Sequence, residues 1–191
     1  DAQFPTVAGD RLAFRIAQYE ANIWRITLPE TDAGAIPLIA STKYDSNPVF
    51  SPDGQELAFA SNRTGNGAIW LAAADGSRQR VLYEPSQGRA VWPNWSPDGQ
   101  HIIATRYSNR GQDLIRIALN RLEIQLVPTG GERPYGGAWS TDGHWIIYIA
   151  GHGTVGTRLW RQAAEGESTP EIWVDRPINR FATDQRWLYF S

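Results

Sequence analysis

The sequence predicts an all-β fold, a β-propeller of four-stranded antiparallel blades with four complete blades and a partial fifth. The first observation is a recurring ten-residue stretch, a turn sequence between an aromatic residue and an apolar run, at 50–59, 95–104, 139–148 and 181–190. The second is the period of 45, 44 and 42 residues between the aspartates of these turns, which are Asp53, Asp98, Asp142 and Asp184. A repeat of this length is typical of a propeller blade, and helical periodicity is sustained nowhere in the chain.

The turn sequence Ser51-Pro52-Asp53-Gly54 has a mechanical explanation. Proline presets φ at the second turn position, aspartate hydrogen-bonds nearby backbone, and glycine accepts a left-handed conformation. The same sequence stands at 96–99 and, with threonine in place of proline, at 140–143. The pattern predicts a hairpin between the first and second strands of each blade, with a structural role for Ser51, Ser96 and Ser140.

Further apolar markers place the remaining strands. The first blade is degenerate, with a first strand at 4–7, a turn shortened to 8–10 and a second strand that includes Leu12. Third strands are predicted to begin at Ile23, Ile69, Leu114 and Leu159. Fourth strands are predicted at 36–39, 80–83, 124–127 and 171–174, and Pro37 indicates that the first of these is an edge strand. We expect a single propeller portion over 1–191, with blades at about 4–40, 47–84, 92–128 and 136–175 and a partial blade at 178–191.

The fifth repeat stops at Ser191, after its second strand. Trp187–Phe190 is apolar on both faces, as a strand between neighbouring blades should be. An unpaired apolar edge of this kind favours strand addition. We therefore expect either further chain after Ser191 or self-association of a second molecule through the open blade edge.

Composition excludes several classes of function. Nine Trp, seven Tyr and six Phe favour a packed core over disorder. The net charge of −2 gives no basic footprint, so this segment is not expected to bind nucleic acid. The absence of cysteine removes disulfides and thiolate chemistry and is compatible with either periplasm or cytoplasm. Since no long apolar run and no export signal occur in the sequence as given, membrane insertion by this segment is not expected either.

No constellation of catalytic residues stands out. A Gly-x-Ser-x-Gly elbow and Asp-x-Asp metal loops are both absent from the sequence, so we expect no enzyme activity, no cofactor and no metal. His101 and His144 follow the repeated turns and are expected to face solvent. His152 lies in Gly151-His152-Gly153, a loop without a counterpart in the other blades, and is a candidate binding residue.

Strand direction assigns the loops of the blades to two ends. If the repeated hairpin turns lie at one end, the loops between second and third strands and the connections between blades lie at the other. Arginine and aromatic residues, which are enriched in interface hot spots, collect there. We expect this loop face to bind a protein or a small ligand through Tyr44, Asp45, Arg63, Arg89, Trp92, Tyr107, Arg110, Arg133, Tyr135, His152 and Arg180.

The repeats also resemble a known family. The Ser-Pro-Asp-Gly turn, the loop Ser61-Asn62-Arg63-Thr64-Gly65 and the segment from Ile69-Trp70 to Asp75-Gly76-Ser77 resemble the TolB-type, WD-repeat-like propeller repeat over nearly the whole chain. Such repeats occur in TolB, in the propellers of prolyl-oligopeptidase-type peptidases and in the C-terminal sensory parts of bacterial regulators. Segments 38–42 and 45–48 look most like the propellers of membrane-tethered winged-helix regulators of the CadC type.

The resemblance implies a non-enzymatic binding or sensory module. On this expectation the chain is the C-terminal, periplasmic domain of a membrane-tethered bacterial transcriptional regulator. Two alternatives remain open, a TolB-like periplasmic envelope protein and the propeller gate of a prolyl-oligopeptidase-type serine peptidase.

Overall fold

The computed structural model describes residues 2–17, 21–28, 34–151, 156–165, 168–183 and 188–190. These residues form strands joined by turns and contain no helix. The strands are β1 (Ala2–Ala8), β2 (Arg11–Ala17), β3 (Ala21–Thr27), β4 (Ile36–Ile39), β5 (Asp45–Phe50), β6 (Glu56–Ser61), β7 (Ala68–Ala73), β8 (Arg80–Tyr83), β9 (Arg89–Trp95), β10 (His101–Ser108), β11 (Gly111–Ala118), β12 (Glu123–Val127), β13 (Pro134–Trp139), β14 (Trp145–Ala150), β15 (Arg158–Ala163), β16 (Glu171–Val174), β17 (Phe181–Thr183) and β18 (Leu188–Phe190).

The strands assemble into sheets in sequence order. Four sheets have four strands each, β1 to β4, β5 to β8, β9 to β12 and β13 to β16, and β17 pairs with β18. The all-β fold of four complete blades and a partial fifth is therefore confirmed. The chain divides into two compact units, which we call unit 1 (Asp1–Trp95) and unit 2 (Ser96–Ser191).

The fourth strand of each sheet lies at its edge, as Pro37 indicates for β4. β4, β8 and β16 have the predicted bounds, and β12 begins one residue early, at Glu123. The third strands begin before the apolar residues that predicted their starts. In β11 the difference is three residues, because backbone pairing with β10 continues over polar positions, such as Gln112 opposite Tyr107. Trp187, for which burial between blades is predicted, lies outside the described residues.

Each unit has its own apolar core. In unit 1 the core packs Ile23, Ile39, Leu57 and Phe59 with smaller neighbours, and all four side chains are buried. In unit 2 one cluster is built on Ile103, Leu114, Trp139 and Tyr148, and a second on Ile147, Ile149, Leu159 and Ile178. These residues come mainly from central strands. Such strands pack on both faces, and their sequences are therefore nearly continuously apolar.

An arginine on the third strand joins neighbouring blades within each unit. Arg25 of β3 donates to the Ala74 carbonyl at 3.5 Å, and Arg116 of β11 donates to the Ala164 carbonyl at 2.6 Å. Both acceptors follow the third strand of the next blade. The arginine therefore satisfies a carbonyl at the end of a strand in the neighbouring blade.

The repeated hairpin turn is confirmed in atomic detail. Gly54 has φ of 68° and donates its N–H to the Ser51 carbonyl at 2.8 Å. The Ser51 hydroxyl donates to Asp53 at 2.6 Å and accepts the Glu56 N–H at 2.9 Å. The turns at 96–99 and 140–143 repeat this network. The three serines have the predicted structural role, because each hydroxyl is hydrogen-bonded within its own turn.

This network predicts an acid-sensitive fold. Hydrogen bonds from the Ser51 hydroxyl and the Gln55 N–H lower the pKa of Asp53 below its ordinary value of 3.8. For Asp98, burial favours the neutral form, but hydrogen bonds from Ser96 and Gln100 together with the charge of His101 outweigh it and lower the pKa. The Ser140 hydroxyl and the His144 N–H lower the pKa of Asp142. A lowered folded-state pKa stabilises the fold above the unfolded-state pKa, and this stabilisation is lost as pH falls through the folded-state value.

We expect the triple variant Asp53→Asn, Asp98→Asn and Asp142→Asn to be less stable than the parent at pH 7. Its unfolding free energy, measured by urea denaturation at successive pH values, should fall less steeply than that of the parent below about pH 4. Equal slopes for parent and variant in that range would show that the turn carboxylates carry no such linkage.

Candidate binding surface

Hydrogen bonds hold the connection between the first two blades at the loop end of unit 1. The Ser41 hydroxyl donates to Asp45 at 2.7 Å, and the Ser41 N–H donates to the Asn22 side chain at 3.0 Å. Tyr44 exchanges hydrogen bonds with Asn62, giving its N–H to the amide oxygen at 2.9 Å and accepting the Asn62 N–H on its carbonyl. Tyr44 is 44% exposed, so a fixed backbone displays its ring to solvent.

Asp45 and Arg63 do not lie at the exposed loop face, contrary to the expectation from the sequence. Asp45 is the first residue of β5 and is fully buried, where it accepts a hydrogen bond from Arg63 Nε at 3.0 Å. The Arg63 guanidinium lies back over the sheet, 4.7 Å from the Trp70 ring centroid and 5.2 Å from that of Phe59. The physical reason is pairing, since a buried carboxylate needs a cation and the aromatic faces favour a planar one. This pair supports the loop end from beneath.

Trp92 is a second correction to the predicted surface. It lies inside β9 and is only partly exposed, with φ of 54°. A tryptophan in the left-handed region marks an irregular position in the strand. Arg89, at the start of the same strand, is exposed and lies beside Gly67 in a parallel bridge.

In unit 2, hydrogen bonds join the loop ends of three successive blades. The Gly136 N–H of β13 donates to the Thr105 hydroxyl of β10 at 3.1 Å. The Tyr135 hydroxyl donates to the Asn179 carbonyl, just before β17, at 3.4 Å. Tyr107 and Tyr135 lie in β10 and β13 and are partly buried. The loops beside them carry the exposed Arg110, Arg133 and Arg180.

The histidines separate into different environments. His144 is exposed, as expected. His101 is only partly exposed, and its ring centroid lies 6.1 Å from that of Trp139, because the preceding turn directs it onto the next blade of unit 2. It borders a shallow concavity of about 180 Å³ with Arg116, Arg121 and Glu123 at the hairpin end. His152 lies outside the described residues.

The structure adds residues that sequence reasoning missed. Asn22 and Asn62 organise the connection around Tyr44, although nothing in the repeat pattern distinguishes them from other loop asparagines. Thr157 bonds the Ile178 carbonyl and thereby fixes the connection that precedes Arg180. Their role depends on contacts between segments about 20 residues apart, which strand periodicity does not encode.

Two further observations concern metal ligands and membrane-spanning helices. In the part of the chain that the structure describes, no group of three or more His, Asp or Glu side chains is placed to hold a metal ion. Within the same residues, no helix has the length and apolar character needed to span a membrane.

Comparisons with known proteins agree with this architecture. The chain is similar to the uncharacterized peptidase YuxL of Bacillus subtilis (strain 168), at 35% identity over 98 residues, which are 50% of this chain and 14% of that protein. It is similar to the Tol-Pal system protein TolB of Anaeromyxobacter dehalogenans (strain 2CP-C), at 34% identity over 123 residues, 63% of this chain and 27% of that protein. The chain thus spans well under a third of the length of either relative.

The fold has a close structural neighbour, a putative TolB from Agrobacterium tumefaciens. The TM-score is 0.86 at 20% sequence identity, with 99% of this chain and 69% of the other covered. The family model described as the TolB beta propeller domain (PD40) matches residues 5–173. Because that match spans most of the chain and the four-stranded blades agree with it, the chain belongs to the TolB β-propeller family.

Proposed function

We propose that this propeller is a non-enzymatic protein-binding module of the TolB-like kind that works in the periplasm. The carrying observation is that each unit presents residues favoured in interfaces at its own loop end. In unit 1 a hydrogen-bonded connection presents Tyr44, and in unit 2 Arg110, Arg133 and Arg180 are exposed. Tyrosine and arginine are enriched in interface hot spots, and a preorganised backbone lowers the entropic cost of binding. The family and the similarity to a Tol-Pal system protein support the periplasmic location.

The test is capture of a partner by the immobilised chain from an envelope extract, followed by calorimetry with the purified partner. We expect Tyr44→Ala to weaken binding by about tenfold, the effect of removing an interface tyrosine. Leu122→Ala is the matched control, because Leu122 is 62% exposed but lies at the hairpin end, and its affinity should equal that of the parent. Failure to find any partner that binds the chain more tightly than about 100 µM would reject the proposal.

The absence of enzyme activity is part of the same proposal. The hydroxyls of Ser51, Ser96 and Ser140 are bonded within their turns, which supports a structural role for these residues. We expect no turnover of peptide or ester substrates by the purified chain. Turnover that copurifies with the chain and disappears in Ser140→Ala would contradict this.

Two other assignments remain as second candidates. The similarity to the peptidase YuxL favours a propeller gate beside a peptidase domain in a larger protein. Segments 38–42 and 45–48 favour the sensory domain of a membrane-tethered regulator. The sequence that flanks this chain in its gene discriminates them, since a gate requires a Gly-x-Ser-x-Gly domain and a regulator requires a basic winged helix with a membrane span.

A further inference from the structure

The loop end of unit 2 is one continuous structural element. It comprises the described residues of 105–114, 128–136, 156–159 and 174–181, which include the β10–β11 turn, the start of β15 and two connections between blades. Antiparallel pairing places these segments at the same end, and the bonds of Gly136 to Thr105 and of Tyr135 to Asn179 tie them together. Thr157 bonds the Ile178 carbonyl and completes the set.

Arginine dominates the charge of this element. Its cations are Arg106, Arg110, Arg133, Arg158, Arg176 and Arg180, and its acids are Asp113, Glu132 and Asp175. Asp113 is paired with Arg106 at 2.7 Å, and Asp175 is paired with Arg158. These two acids are therefore already neutralised by arginines of the element itself.

The third acid, Glu132, faces inward. One of its carboxylate oxygens is shielded from solvent. The pKa of the fully buried Tyr148 is raised by burial and, to a smaller extent, by the charge of Glu132. The exposed arginines of the loop end are Arg110, Arg133, Arg176 and Arg180.

At the opposite end of unit 2, acidic residues outnumber arginines. Its described acids are Asp98, Glu123, Asp142, Glu165 and Glu171, and its arginines are Arg116, Arg121 and Arg161. Two of those arginines are paired internally, Arg116 with Glu165 at 2.8 Å and Arg161 with Glu171 at 2.6 Å. Charge is thus segregated along the strands of unit 2, although the whole chain carries only −2.

We propose that the loop end of unit 2 is a docking surface for an acidic segment of a partner protein, read by Arg110, Arg133 and Arg180. Guanidinium groups bind carboxylates through paired N–H donors, so arginine suits Asp and Glu side chains better than a point charge does. Complementary charge of this kind contributes mainly to specificity and to the rate of association. The inference names the partner chemistry of the protein-binding function proposed above and rests on it.

A protein partner fits better than a nucleic acid. Duplex binding relies on many neutralised phosphates and usually on a strongly basic domain, whereas this end carries four exposed arginines on a chain of net charge −2. Tyr107 and Tyr135, which flank the arginines in the neighbouring strands, are residues that protein interfaces favour.

The test uses the full chain and a fluorescein-labelled peptide of twelve glutamates, followed by fluorescence anisotropy at about 50 mM and 300 mM salt. The test variant is R110Q/R133Q/R180Q. The matched control is R78Q/R80Q/R121Q, which removes the same charge from exposed arginines that lie at the hairpin ends. Thermal melts followed by circular dichroism verify that both variants fold.

We expect the test variant to bind the peptide about tenfold more weakly than the parent, as three exposed charge pairs would predict, and the control to bind within about twofold. A labelled glutamine peptide should not bind. Equal losses in both variants, no binding by the parent, or tighter binding of a twelve-base-pair duplex than of the glutamate peptide would each overturn the proposal. If the partner captured by the parent is retained equally by the test variant, the protein-binding function stands and the acidic-segment inference fails.

Discussion

Replacing Gly76 by alanine is expected to lower the unfolding free energy of the chain by about 3 kcal/mol or more. Gly76 has φ of 84° in the turn between β7 and β8, a conformation that costs an L-residue roughly 1–2 kcal/mol. A Cβ at this position would also lie 2.2 Å from the Leu38 carbonyl oxygen of β4. That contact is with backbone, so either the turn or the neighbouring blade must move.

Gly65→Ala is the matched control for this substitution. Gly65 has φ of 107°, but a Cβ there meets nothing within 4 Å, so only the conformational cost of about 1–2 kcal/mol applies. Urea denaturation of the two variants and the parent measures the difference. Equal destabilisation would show that the close approach of Gly76 to Leu38 carries no energetic weight.

Asp45→Ala is expected to destabilise the chain by about 3–5 kcal/mol, because it leaves a partly buried arginine without its carboxylate. The Asp45 side chain has no exposed surface, and that of Arg63 is 19% exposed. The Arg63 guanidinium also contacts Ser61 and Gln79, so these neighbours would retain it in its buried position after the carboxylate is lost. One Arg63 nitrogen, Nη2, already lacks a hydrogen-bond partner, which leaves little capacity to compensate.

A double-mutant cycle isolates the coupling between the two side chains. Adding Arg63→Met to Asp45→Ala removes the stranded charge, so the double variant should be more stable than Asp45→Ala alone. The control is Glu56→Ala, which breaks the exposed pair with Arg80 and should cost about 1 kcal/mol or less. A loss for Asp45→Ala no larger than that of the control would contradict the assignment of a buried ion pair.

Much of the fold is readable from the sequence because its signals are local. The turn at 51–54 combines proline, aspartate and glycine within four residues, and the structure shows the aspartate and the glycine in their predicted roles. Apolar runs such as 57–59 recur once per blade, so the repeat itself identifies the hairpin and the strand that follows it. Strand limits are less readable, since β11 extends over glycine and polar residues that only pairing with β10 stabilises.

The candidate surface is less readable because it depends on where long side chains turn. The sequence correctly assigns Tyr44, Arg110 and Arg133 to exposed positions, since blade connections and tight turns must face solvent. It cannot distinguish Arg63 from Arg110, although both follow a Ser-Asn pair at the end of a second strand. One guanidinium covers Trp70 and pairs with a buried carboxylate, and the other remains in solvent.

The sequence by itself therefore determined the repeat, the antiparallel blade and the chemistry of its turns, because these follow from interactions within a few residues. Only the tertiary structure decided that Asp45 is buried, that Trp92 lies in an irregular strand and that the exposed charge of the loop end of unit 2 is carried by arginine. Burial and pairing arise between segments about 20 to 45 residues apart, and the free energy of a charged side chain depends on the partner and solvent that it meets there.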